Sequence, residues 1–180
     1  MRIMVLGASG MLGRAFTETA VNSGYECICV SNSCFDSPFI PADLSVSKNV
    51  SDLIRKFPSD VVINFVALTS VDRCESDLNG AFLLNTNLPH ALAANLPTSS
   101  RLLHISTDHL YDGVASSPNS ESKTCLTNVY ALSKLSGEIH ILNKGGVVIR
   151  TNFFGPSRDP RKASFSDLVV ANLKLSLIHI

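Results

Sequence analysis

Apolar residues along this chain fall into two alternating patterns, short unbroken runs and longer stretches with helical spacing. The runs are Ile3–Leu6, Tyr25–Val30, Asp60–Asn64, Arg101–Ile105 and Val147–Arg150. Met11–Asn22 carries helical periodicity, with Gly24 just beyond it as a stop. Asn49–Phe57 reads as a helix ended by Pro58, and Asn128–Leu142 as another. Leu78–Leu96 is also helical in spacing, although Pro89 must bend or restart it. Continuous apolar strands spaced by helices predict an α/β fold, a doubly wound parallel sheet covered on both faces. Gly113–Thr127 is rich in Ser, Pro and Asn and predicts a surface excursion.

Composition narrows the class. The chain has 180 residues, 45% apolar and 17% charged, which suits one globular domain with a real core. Fifteen basic and fifteen acidic residues are mixed along it, so the formal charge is zero. That balance gives no reason to expect a nucleic-acid or membrane surface. No stretch of about 18 apolar residues occurs, and Met1–Leu6 is too short for a secretory signal core. The expected location is the cytoplasm. Cys27, Cys29, Cys34, Cys74 and Cys125 form no C-x-x-C pair and no cluster with histidine, so no metal site is expected. They read as reduced core thiols, with Cys27 and Cys29 on one face of a strand.

The first candidate chemistry is Gly7-Ala8-Ser9-Gly10-Met11-Leu12-Gly13, between the first strand and the first helix. The first glycine permits a tight turn, the second lets a pyrophosphate approach the backbone, and the third lets helix pack on strand. Exposed N–H groups and the helix dipole then favour the phosphates of a dinucleotide. An acid about 20 residues on would bind the adenosine ribose of NAD. Here the second strand ends in Val30-Ser31-Asn32-Ser33, with no carboxylate before Asp36. NADPH is therefore accepted alongside NADH, with a lean towards NADPH. Asp43-Leu44 either caps the following helix or meets the adenine amino group.

The second is Tyr130-Ala131-Leu132-Ser133-Lys134. Residues four apart share a helix face, and an ammonium beside a phenol lowers its ordinary pKa of about 10. Such a tyrosine exchanges protons near neutral pH, as hydride transfer to a carbonyl requires. Thr107 follows the fourth strand, where a hydroxyl can hold a substrate oxygen beside Tyr130. His90, His104, His109 and His140 read as packing residues, with reach to the crevice left open as an alternative for His109.

With these pieces in place the chain resembles the extended short-chain dehydrogenase/reductases, and within them the dTDP-4-dehydrorhamnose reductase family. The matching segments are Gly7 to Gly13, Asp43-Leu44, Asp60 to Asn64, Val71 to Ser76, Leu83-Leu84-Asn85, Ser106-Thr107-Asp108, Asn128 to Lys134 and Arg150-Thr151. The resemblance implies a Rossmann-like fold, with Tyr130 as general acid, Lys134 on the nicotinamide ribose and Thr107 orienting the sugar. Asp108 and Phe153 would touch the substrate, a nucleotide sugar. Gly10-Met11-Leu12, Asp43-Leu44 and Val66-Ala67-Leu68 would line the cofactor. The chain departs from the family at Leu68, where a histidine is usual, and at Phe153, where a tryptophan is usual.

The resemblance also divides the chain. Residues 1–156 would form the NAD(P)-binding domain, and 157–174 the start of a truncated substrate-binding part, leaving the sheet incomplete at the C-terminus. Residues 175–180, Leu-Ser-Leu-Ile-His-Ile, match what a common sequencing adapter encodes in one frame. The alternative is a genuine amphipathic ending. The expected activity is NAD(P)H-dependent reduction of a 4-keto nucleotide sugar by the full-length parent. Two others stay open: a non-catalytic NADP-binding subunit resembling the methionine adenosyltransferase β subunit, and a nucleotide-sugar epimerase or dehydratase. A homodimer is left open as well.

Overall fold

The computed structural model describes residues 1–32, 39–111, 113, 119–157 and 163–174. Ser33, Cys34, Asp36, the terminal hexapeptide and residues 114–118 of the expected surface excursion lie outside the described residues. Six parallel strands form one sheet: β1 (Arg2–Leu6), β2 (Glu26–Ser31), β3 (Ile40–Pro41), β4 (Val61–Asn64), β5 (Arg101–Thr107) and β6 (Val147–Thr151). Their spatial order is β3-β2-β1-β4-β5-β6, the order of a doubly wound dinucleotide-binding sheet. β1 pairs with β2 on one side and β4 on the other, which buries Met4, Val5 and Leu6 completely.

Helices cover both faces. On one, α2 (Ser47–Lys56), α5 (Leu88–Asn95) and α6 (Val129–Asn143) bring Val50, Leu92 and Ile141 against Met4, Leu6, Val62 and Leu102. On the other, α1 (Met11–Asn22) packs Ala20 and Phe16 against Ile3, Val5, Cys29 and Ile63. Cys27 and Cys29 share that face as expected. Cys125 is exposed and so is not a core thiol, because its backbone N–H anchors a surface segment to Leu110 O. α1 stops short of the sheet's far edge, and Val147 and Ile149 of β6 remain exposed on that face.

Several elements differ from the expectation in informative ways. The long helix after β4 is three pieces: α4 (Leu78–Phe82), a π-helical turn (Leu83–Asn87) and α5. Pro89 sits in the first turn of α5, directly after the π-helical turn, and the backbone is helical at Asn87 and Leu88, so the helix runs on into the proline instead of restarting. A further short helix, α3 (Val71–Ser76), starts where the Ser70 hydroxyl accepts from Arg73 N–H. β5 runs two residues further than its apolar run, through Thr107, because Ser106 and Thr107 pair with Arg150 and Thr151 of β6. The last described element is α7 (Phe165–Lys174). Among the described residues, no helix is long and apolar enough to cross a membrane.

Candidate active site

Because all strands are parallel, their carboxyl ends share one edge of the sheet, and the candidate residues gather there. The glycine turn leaves β1 at Gly7, whose φ of 79° is a left-handed value that a side chain would strain. Gly7 and Ala8 N–H groups both donate to Val30 O, at 3.0 and 3.1 Å, which ties the turn to β2. A Cβ on Gly13 would run into Gly7 O and Ala8 Cα, so α1 lies as close to the turn as backbone allows. A Cβ on Gly10 would meet only Gly7 O, at 3.2 Å, and Gly10 faces an open cleft. That contact is tight but milder than the clash at Gly13, and a glycine there leaves the backbone bare on the cleft side.

That cleft has a volume of about 470 Å³, within the size range of small-molecule sites. Its walls include Gly7, Gly10, Met11, Asp43, Leu44, Val66 and Ala67 of the expected set, and Ser31 and Asn32 at the end of β2. Leu12 and Gly13 are not among its lining residues, Gly13 being buried in α1 against the turn. Leu68 turns away and packs beside Cys74 and Tyr130. Asp43 does not cap α2: its carboxylate accepts from Ser45 N–H and Ser45 Oγ, which holds it below the usual carboxylate range. Val46 occupies the helix start instead. Ser157, Ala163 and Ser164 close one side of the same cleft, so residues after 156 contribute to it directly.

One residue on this wall escaped the sequence reading. Arg14 donates from Nε to Ser9 O at 2.9 Å, and its guanidinium lies 5.8 Å from the Phe39 ring centre. It therefore presents a cation to the cleft beside Ser31 and Asn32. Its position one residue past the third glycine was the only available signal.

The second group sits at the end of β5 and the start of α6. Asn128 caps α6, its side-chain oxygen accepting from Ala131 N–H at 2.8 Å, which fixes Tyr130 in the first turn. Tyr130 is buried against Cys74 and Leu68, with the His109 ring edge-on at 5.5 Å. Thr107 Oγ1 accepts from His109 N–H at 3.2 Å. Lys134 points inward, only 2% exposed, donating to Ile105 O at 2.6 Å with Nζ 3.2 Å from His104 Nε2.

This geometry corrects the expected acidification of Tyr130 by Lys134. Burial raises the phenol's pKa, the nearby Thr107 hydroxyl lowers it, and Cys74 and Asp108 raise it again. Lys134 Nζ is engaged on the sheet side instead, by Ile105 and His104. Burial lowers its own pKa to about 8, against a smaller upward pull from Glu138. Glu138 is itself paired with Arg150 of β6, at 2.7 Å between Oε2 and Nη2.

Two buried asparagines join the halves of the site. Asn85, in the π-helical turn, accepts from Leu68 N–H and donates to Leu68 O and Ser133 Oγ, tying the segment after β4 to α6. Asn64, at the end of β4, lies 3.0 Å from His104 Nδ1. His104 was expected only to pack, and is instead bonded on both ring nitrogens. Ser106 Oγ, buried on the same strand, has no partner among the described residues, which leaves a donor for a bound molecule. Asp108 borders Tyr130, and Phe153 lines an adjoining cleft of about 480 Å³ with Met11 and Phe154. Among the described residues, no group of three or more His, Cys, Asp or Glu side chains is placed to hold a metal ion.

Comparison with known proteins agrees with this geometry. The family model described as RmlD substrate binding domain matches residues 1–172. The dTDP-4-dehydrorhamnose reductase of Aggregatibacter actinomycetemcomitans is 31% identical over 160 residues, 84% of this chain and 51% of that one. That of Burkholderia thailandensis is 33% identical over 148 residues, 81% of this chain and 47% of that one. Among solved structures, a hypothetical dTDP-4-dehydrorhamnose reductase from Sulfolobus tokodaii superposes with a TM-score of 0.80 at 33% identity, covering 87% of this chain and 58% of that one. The chain spans about half the length of the curated relatives it matches.

Proposed function

Because this chain belongs to the RmlD substrate-binding domain family, we propose that the complete protein reduces the 4-keto group of a deoxyhexose nucleotide with NAD(P)H, as a dTDP-4-dehydrorhamnose reductase does. The observation that carries this reading is the meeting of Thr107 and Tyr130 at the sheet edge that also bears the glycine turn. A phosphate cradle alone would serve any dinucleotide binder. A phenol and a hydroxyl beside it serve a carbonyl.

The residues fit a nicotinamide dinucleotide. Gly7, Gly10 and the start of α1 would hold the pyrophosphate, and Asp43, Leu44, Val66 and Ala67 would flank the adenosine end. Lys134, and the Ser106 hydroxyl that has no partner among the described residues, would meet the ribose hydroxyls. When bound, the nicotinamide supplies the hydride that reaches the carbonyl carbon. Tyr130 then gives its phenolic proton to the carbonyl oxygen as negative charge develops there. A phenol whose pKa is raised by burial holds that proton at neutral pH, which suits an acid in the reductive direction. Thr107 orients the same oxygen, and Asp108 and Phe153 would contact the sugar.

Cofactor choice follows from the end of β2. Ser31 and Asn32 bring no carboxylate to repel a 2′-phosphate, and Arg14 brings a cation to the same wall. NADPH is the preferred cofactor on this reading. The test is to mix the complete protein with a dTDP-4-keto-6-deoxyhexose and follow NADPH absorbance. Oxidation that requires the sugar is expected. Its absence at high protein concentration would overturn the reductase reading in favour of a cofactor-binding subunit.

A further inference from the structure

Three elements converge on Lys134, and the hydrogens between them can be counted. Val66 N–H donates to Asn64 Oδ1 at 3.0 Å. Asn64 Nδ2 lies 3.0 Å from His104 Nδ1, and His104 Nε2 lies 3.2 Å from Lys134 Nζ. Asn64 and His104 are fully buried. A backbone N–H only donates, so it fixes Asn64 with its oxygen towards Val66 and its NH₂ towards His104. An amide nitrogen also only donates, so His104 Nδ1 must carry a lone pair. A neutral imidazole then has its proton on Nε2, aimed at Lys134.

An ammonium has no lone pair to receive that proton, whereas an amine has one. A charged Lys134 would set N–H against N–H inside the core. Moving the imidazole proton to Nδ1 transfers the same conflict to Asn64. Flipping the amide leaves Val66 N–H without its acceptor, which is costly in a buried site.

From this we infer that Asn64 and His104 form a polarised support that fixes the imidazole as a donor and favours the amine form of Lys134. On the reductase reading, His104 is a positioning residue that makes Lys134 a group exchanging protons during turnover, not a fixed cation. The charged and titratable groups facing Lys134 are His104 from β5, Tyr130 and Glu138 from α6, and Arg150 from β6 through Glu138. Burial acts in the same direction as the support, and Glu138 opposes it with a carboxylate already engaged by Arg150.

The tautomer can be read in the full chain without cofactor or substrate, so it is independent of the reductase reading. With ¹⁵N-labelled histidine, His104 is expected to show a protonated Nε2 and an unprotonated Nδ1 at pH 9, where Lys134 is mostly amine. A protonated Nδ1 would overturn the inference. In His104→Phe, with ¹³C-labelled lysine, removing a donor is expected to raise the Lys134 titration by about one pH unit, roughly tenfold in proton affinity. A downward shift would mean that Nε2 had been accepting from an ammonium, and would refute the proposed polarity. The wild-type tautomer decides the matter even if the variant does not fold.

Discussion

The cleft at the glycine turn and the corner around Tyr130 share one edge of the sheet but are made of different material. The cleft is built from backbone: two N–H groups on Val30 O, a left-handed Gly7, and an α1 that touches the turn at Gly13. The corner is built from side chains that are buried and bonded to one another, from Asn85 and Ser133 through to Asn64, His104 and Lys134. Backbone sites bind any ligand of the right charge and shape, because N–H groups and a helix dipole are common to all residues. A side-chain network instead fixes proton positions, which a reaction requires and simple binding does not. Changes in the two regions should therefore fail in different ways.

The largest expected effect lies in the corner. On the reductase reading, Tyr130→Phe in the complete protein should lower the rate of sugar reduction by about 10³-fold or more while leaving NADPH affinity within roughly twofold. A parental rate, measured by NADPH oxidation, would remove Tyr130 from its role and with it the distinction between the regions.

Next in size is a pH effect on stability. Lys134 is held near 8 in the folded chain, against 10.5 ordinarily. Between those values the unfolded chain binds the extra proton, so stability rises with pH, by up to roughly 3 kcal/mol. The gain is absent below the folded value and complete above the unfolded one. Urea titrations of wild type and Lys134→Met across pH 7 to 10.5 should show the rise only in wild type, since other alkaline titrations are common to both. Parallel curves would mean that Lys134 is not desolvated.

The cleft should answer to steric change instead. In Gly13→Ala the added methyl has only backbone to push against, so a loss of about 2 kcal/mol in urea stability is expected, together with weakened NADPH binding. Gly10→Ala should cost less stability and yet weaken NADPH comparably, because its methyl projects into the ligand's space. Equal stability losses at both positions would show that the protein, not the ligand, sets the need for Gly10. The smallest effect is at Arg14, where Arg14→Ala should lower NADPH affinity about tenfold and leave NADH nearly unchanged. Equal losses for both cofactors would assign Arg14 to the pyrophosphate rather than to the 2′-phosphate.

The features legible in the chain were those written in local spacing. The parallel sheet followed from apolar runs separated by helical stretches, and the glycine turn from three residues at fixed offsets. Tyr130 and Lys134 were visible as an i, i+4 pair, whereas Asn128 was read as the first residue of the helix and is its cap. Strand and helix ends were less legible. β5 continues to Thr107 because β6 offers it partners, a fact held by residues 44 positions away in the pairing of Thr107 with Thr151.

The sequence by itself therefore determined the fold class and the residue types available for chemistry, since periodicity and turn geometry act over a few neighbouring residues. The tertiary structure alone decided how those residues are charged and aimed. Lys134 faces His104, 30 positions away, instead of acidifying Tyr130, and His104 is oriented by Asn64, 40 positions away. Proton affinity depends on desolvation and on which donors and acceptors lie within about 3 Å, and only the folded sheet brings those groups together.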